Sequence, residues 1–133
     1  MSNTIIIIDY GSQYTQLIAR RVRELNVHSI ILPYDITKEK IDKYNVKGFI
    51  LSGGPSSVYE KDAPYLPANI FRYKVPVLGI CYGMQLLIEN FEGEVSSSKK
   101  AEYGKSIITI KSINKLLNNI SNNTTVWMSH GDK

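Results

Sequence analysis

Residues 5–8 are four consecutive isoleucines. A β-branched run with no polar alternation suits a strand covered on both faces, as in a parallel sheet between helices. Parallel strands need crossovers, and the sequence that follows supplies them. Asp9 to Ser12 reads as a turn, and helical spacing runs from Gln13 to about Leu25 with Tyr14, Leu17, Ile18, Val22 and Leu25 on one face. Asn26 is a stop, and Val27 to Leu32 is a second strand ended by Pro33. Thr37 is placed to cap a short helix through about Tyr44, with Ile41 facing inward, and Gly48 to Leu51 is a third strand. Pro64 to Tyr73 reads as a helix, Val75 to Ile80 as the fourth strand, and Tyr82 to about Phe91 as another helix. Strands alternating with helices predict an α/β fold: an open, mostly parallel sheet with right-handed crossovers and helices on both faces. After Gly93 the pattern changes. Ser106 to Ile110 alternates as a half-exposed strand would, 114–123 is turn-rich, Thr124 to Met128 is a last strand, and 129–133 reads as a loop.

A chain of 133 residues with no repeat and no linker predicts one domain with a core of useful size. One cysteine excludes an intramolecular disulfide and suits a reducing compartment. The isoleucine run is far too short to span a membrane and has no signal-peptide layout around it. The cytoplasm is therefore the expected location, and the sequons at Asn122 and Asn123 read as chance. The net charge of +4 comes from scattered residues: Arg20, Arg21 and Arg23, then Lys38, Lys40 and Lys43, then Lys99 and Lys100. No aromatic side chains interleave with them, so solvated helix faces are expected, not a nucleic-acid surface.

The chemistry-bearing residues fall where strands end. Ligand sites in parallel sheets gather at the carboxyl ends of the strands, and three unusual loops lie there: Asp9-Tyr10-Gly11-Ser12, Ser52-Gly53-Gly54-Pro55 and the turn at Cys81. Gly79-x-Cys81-x-Gly83 between a strand and a helix is the nucleophile-elbow pattern with a thiol in the serine position. Such a turn pushes the side chain out of the sheet toward the positive end of a helix dipole, a setting that favours a thiolate nucleophile. The competing reading is a buried structural cysteine. In Ser52-Gly53-Gly54-Pro55 the glycines let backbone N–H groups face an anion or oxyanion; a plain strand-ending turn is the alternative.

Other matches are weaker. The pyrophosphate loop of ATP pyrophosphatases also opens Ser-Gly-Gly, but Pro55-Ser56-Ser57 lacks its acid. Gly104-Lys105-Ser106 matches the end of a Walker A loop, yet Lys99 stands where the first glycine belongs. His28 lies in an apolar strand and reads as structural. His130 is a candidate base for a thiol–imidazole pair, though only Asp132 stands near it in sequence. One cysteine and two separated histidines give no metal-ligand spacing, so no metal site is expected.

Several segments together resemble a known family. Residues 8–24 (Ile8-Asp9-Tyr10-Gly11-Ser12-Gln13-Tyr14-Thr15-Gln16 and onward), Ile50 to Val58, Gly79 to Gln85 and Val126 to Lys133 are similar to the GMP synthase branch of the class I glutamine amidotransferases. The glycine loop and the cysteine elbow are general to the class I family, whereas the first and last segments are particular to that branch. The resemblance implies a flavodoxin-like sheet and a glutaminase mechanism. Cys81 would attack the side-chain amide of glutamine, and the Gly54 and Tyr82 N–H groups would form the oxyanion hole. Gly53, Gln85 and the Ser129-His130 backbone would hold the substrate. Released ammonia would pass to an ATP pyrophosphatase domain or subunit that aminates adenylated xanthosine monophosphate. ATP and Mg²⁺ would belong to that partner, this domain would need no cofactor, and the parent protein would be a homodimer.

One departure from the family matters. Its activating histidine and glutamate lie in a His-Pro-Glu motif, and no His-x-Glu occurs in these 133 residues. His130 matches a different, non-catalytic family position. The expectation is therefore a partial amidotransferase domain, residues 1–133, with its C-terminal part missing and negligible glutaminase turnover by itself. Two alternatives stay open: a non-catalytic α/β module that binds a synthetase partner or nucleotide, and an amidotransferase of another branch. The opening Gly-Ser-Gln-Tyr-Thr segment argues against the second.

Overall fold

A computed structural model of the chain describes residues 1–112 and 114–132, with the backbone alone for 97–102 and 129–132. The chain divides into two compact units, Met1–Val95 and Ser96–Lys133.

The first unit is built on a four-stranded parallel sheet: β1 (Asn3–Asp9), β2 (His28–Pro33), β3 (Asn45–Leu51) and β4 (Val77–Gly79). Their order is β2-β1-β3-β4, with every neighbouring pair parallel. This matches the first four places of the flavodoxin-like order. The isoleucine run lies in an inner strand, and Ile6, Ile7 and Ile8 are fully buried. Two α-helices join strands of this sheet, α1 (Thr15–Glu24) and α2 (Lys38–Ile41), and a third, α3 (Tyr82–Asn90), follows β4.

Side-chain alternation assigns the helices to faces. Ile5 pairs with Ser29, and the Ser29 hydroxyl donates to the Ala19 carbonyl at 2.9 Å, so α1 covers the face that carries Ile5. Ile6, Ile8, Phe49 and Leu51 cluster with Ile41 of α2 and Tyr82 of α3 on the other face. α3 packs so closely there that a Cβ on Gly79 would lie 2.6 Å from the Met84 Cα. Helices thus cover both faces, as the sequence pattern predicts.

Several elements are shorter than their sequence pattern. The helix expected over 64–73 is a single 3₁₀ turn, Ile70–Tyr73. Pro64 and Pro67 interrupt the segment, and Asn69 and Lys74 bracket the turn in left-handed conformations, φ 64° and 53°. α2 ends at Ile41, and Thr37 holds its N-cap position without a side-chain hydrogen bond. α1 begins at Thr15, two residues later than expected, because the Ser12 hydroxyl accepts the Tyr14 N–H at 3.0 Å and holds a local turn.

The second unit is an antiparallel pair, β5 (Ser97–Ile107) and β6 (Thr125–Asp132). β5 starts nine residues before the expected Ser106 and ends at Ile107. β6 runs through Asp132, so Ser129 and His130 are strand residues paired with Tyr103 and Glu102, not a terminal loop. Ladder pairing of the backbone outweighs the turn-forming composition of Ser129-His130-Gly131-Asp132.

Candidate active site

The loops after β1, β3 and β4 meet at one end of the sheet, beside the reversal of strand order between β1 and β3. The Ser52 N–H donates to the Ile8 carbonyl at 3.1 Å, and the Ile80 N–H donates to the Leu51 carbonyl at 2.9 Å. These bonds carry the sheet's pairing one residue past the strand ends and fix the loops against each other.

Cys81 occupies the turn between β4 and α3 at φ 52° and ψ −115°. A non-glycine residue rarely adopts this conformation, and it projects the side chain sharply out of the chain path. The thiol is exposed, so the reading of a buried structural cysteine is set aside. The turn is locked by the Gly83 N–H donating to the Ile80 carbonyl at 3.1 Å and to the Ser52 carbonyl at 3.2 Å. A Cβ on Gly83 would stand 2.4 Å from the Leu51 carbonyl oxygen, so only glycine lets α3 start this close to β3. The Gln85 N–H donates to the Cys81 carbonyl at 3.0 Å, which puts half-buried Gln85 one helical turn beyond the thiol.

The glycine loop lies directly beside the thiol. A Cβ on Gly53 would lie 3.2 Å from the Cys81 Cβ and 3.9 Å from its Sγ. Gly54 presses on the first loop, where its Cβ would lie 2.1 Å from the Tyr10 carbonyl oxygen. Among the described residues, neither the Gly54 N–H nor the Tyr82 N–H donates a hydrogen bond. The first belongs to the loop beside Cys81 and the second to the residue that follows it.

The structure therefore brings Gly53, Gly54, Cys81, Tyr82 and Gln85 into the first unit. Ser129 and His130 belong to the second, and their side chains lie outside the described residues. Among the described residues, no group of three His, Cys, Asp or Glu side chains is placed to hold a metal, and no helix is long and apolar enough to cross a membrane. His28 is an exposed residue at the start of β2, with its Nδ1 3.0 Å from the Thr4 hydroxyl. It links two strands and sits at the amino end of the sheet, opposite the thiol.

Two features escaped sequence reasoning. One is a set of four tyrosines under the loops. Tyr10 stacks on Tyr34 at 5.8 Å between ring centroids and meets Tyr82 edge-on at 5.3 Å, while Tyr34 meets Tyr65 at 5.1 Å. The Tyr10 hydroxyl donates to the Tyr65 carbonyl at 3.0 Å, and the Tyr82 hydroxyl donates to the Pro64 carbonyl. Burial, and then the neighbouring Tyr82, hold the Tyr10 phenol well above its ordinary range. The other is a buried hydroxyl pair, Thr15 and Ser52, linking the first two loops at 3.1 Å. A serine closing an apolar strand just before two glycines was the available signal.

Comparison with known proteins fits this geometry. Residues 6–133 match the family model of the class-I glutamine amidotransferases. The chain belongs to that family. Among its relatives, the GMP synthase [glutamine-hydrolyzing] of Nostoc punctiforme is 52% identical over 128 residues, covering 96% of this chain and 24% of the relative. The same-named protein of Caldanaerobacter subterraneus is 52% identical over 130 residues, covering 98% of this chain and 25% of the relative. This amidotransferase chain thus spans about a quarter of the length of the curated relatives it matches. A candidate GMP synthase subunit from Thermoplasma acidophilum superposes with a TM-score of 0.84 at 29% identity, covering all of this chain and 67% of that one. A glutamine amidotransferase from Methylobacillus flagellatus shares the fold, with a TM-score of 0.70 at 21% identity.

Proposed function

We propose that this chain is the glutamine-hydrolysing part of a GMP synthase, with Cys81 as its nucleophile. The observation that carries this reading is the exposed Cys81 thiol on a strained elbow beside the Gly53-Gly54 loop, so close that a Cβ on Gly53 would lie 3.2 Å from the Cys81 Cβ, with two backbone donors that have no acceptor among the described residues.

The Cys81 thiolate attacks the side-chain amide carbon of glutamine. The carbonyl π pair moves onto oxygen, and the Gly54 and Tyr82 N–H groups hold that oxyanion. Fixed donors aimed at developing charge need no reorganisation as the charge forms. The tetrahedral adduct collapses with loss of ammonia, leaving a glutamyl thioester, and water hydrolyses the thioester to glutamate and regenerates the thiol. Within the first unit, Gly53 and Gln85 hold the substrate. The ammonia serves an ATP pyrophosphatase domain or subunit that converts XMP to GMP with ATP and Mg²⁺. A homodimeric parent belongs to the same reading and rests on the resemblance alone.

The proton transfers need an imidazole, and residues 1–133 contain no His-x-Glu to supply one in the family's manner. The test follows. In the longest natural polypeptide carrying this domain, Cys81→Ala should abolish glutamate release and leave amination by free ammonia intact. Residues 1–133 alone should release glutamate at background rate. Turnover that survives Cys81→Ala would refute the assignment of the nucleophile. Turnover by residues 1–133 that is lost in both Cys81→Ala and His130→Ala would make His130 the base.

A further inference from the structure

Ser52 is fully buried at the end of β3, and its hydroxyl is fully committed. The Tyr10 N–H donates to its Oγ at 3.2 Å, and the Thr15 hydroxyl donates to it at 3.1 Å. The Ser52 hydroxyl in turn donates to the Gly53 carbonyl at 3.2 Å. A hydroxyl has two lone pairs and one proton. With both lone pairs taken, its proton goes to Gly53. Thr15 is buried as well, and the Asp9 carboxylate stands 3.4 Å from its hydroxyl while accepting the Gly11 N–H at 2.8 Å.

The Gly53 carbonyl and the Gly54 N–H belong to one planar trans peptide and point in opposite directions. Drawing the carbonyl inward to buried Ser52 turns the N–H outward. Two adjacent glycines impose little preference of their own on that plane, so the hydroxyl sets it.

We propose that Ser52 is a positioning residue for glutamine hydrolysis: its hydroxyl holds the Gly53 carbonyl inward and so presents the Gly54 N–H as an oxyanion donor. This rests on the glutaminase reading above.

The test uses the longest natural polypeptide carrying this domain, assayed for glutamate release and for alkylation of Cys81 by iodoacetamide. Loss of one oxyanion donor lowers kcat by about 10²–10³, and a donor that is present but unheld loses part of that. Ser52→Ala is expected to lower kcat at least about tenfold, with KM for glutamine within about twofold. Alkylation passes through no oxyanion, so its rate should not change. Ser52→Cys, similar in shape with a weaker donor, should fall between the two; it also serves if melting shows that Ser52→Ala does not fold. A kcat within about twofold of wild type in Ser52→Ala, beside an inactive Cys81→Ala, overturns this role and leaves the nucleophile in place. Equal falls in kcat and alkylation rate overturn it too, because they mean a loosened elbow. Undiminished turnover in Cys81→Ala overturns both readings.

Discussion

A side chain at φ 52° and ψ −115° crowds its own backbone, and holding one there costs about 1–3 kcal/mol. Cys81 is kept in place by what surrounds it: the Gly83 N–H bonds, the contact of Gly83 with Leu51, and the pairing of β4 with β3. Glycine relieves the crowding but loses about 0.5–1 kcal/mol through its freer unfolded chain. The larger effect decides the sign. Cys81→Gly is expected to be about 1 kcal/mol more stable than Cys81→Ala, which keeps the strain without the thiol. Urea denaturation of the two variants measures this. A lower midpoint for Cys81→Gly than for Cys81→Ala would mean that the elbow is relaxed, because only glycine's freer unfolded chain would then separate them. The neighbouring residues differ in how far sequence alone could reach them. Gly79, Cys81 and Gly83 announce themselves by spacing. Ser52 does not, because its role depends on the Tyr10 N–H and the Thr15 hydroxyl, 42 and 37 residues away along the chain.

At the scale of elements, what could be read from sequence followed burial. Strands covered on both faces have continuous apolar runs, so β1, β2 and β3 were legible, and so was the helix after the cysteine. The segment 64–73 misled because its apolar residues pack against the sheet from an irregular chain, with Ile70 buried under the core and no helical ladder. The tyrosines of these connections carry a pH dependence. Burial raises the phenols of Tyr10 and Tyr82, and burial followed by the hydrogen bond to Asp42 raises Tyr73 to about 12. A raised folded pKa means that the folded chain keeps a proton that the unfolded chain releases. This stability is complete below the unfolded value of about 10 and is lost as the pH rises toward the folded values. Asp42 has the opposite sign. Hydrogen bonds from Lys38 and then Tyr73 lower its pKa, so its contribution fades as the pH falls through the depressed folded value. Tyr10, Tyr73 and Tyr82 are therefore expected to ionise late and together with unfolding in a phenolate absorbance titration. Ionisation of these three phenols near pH 10, with the chain still folded, would contradict their burial.

For the molecule as a whole, everything needed to place the thiol and the glycine loop lies in residues 1–95. Of the four strands of this sheet, the one made before the others is an inner one: β1 lies between β2 and β3. During synthesis at about 5–20 residues per second, roughly two to nine seconds separate the appearance of Ile8 from that of Leu51. For that interval the isoleucine ribbon has an open edge and no roof. Runs of this kind, β-branched and uncharged, are the segments that stack with other chains. A chain truncated after Tyr44 is therefore expected to bind a dye for apolar surface that residues 1–95 do not bind; equal dye binding would remove the expectation. The order in which this polypeptide is written thus sets its hazard. Its most decisive strand is written before both of its neighbours and waits for their company.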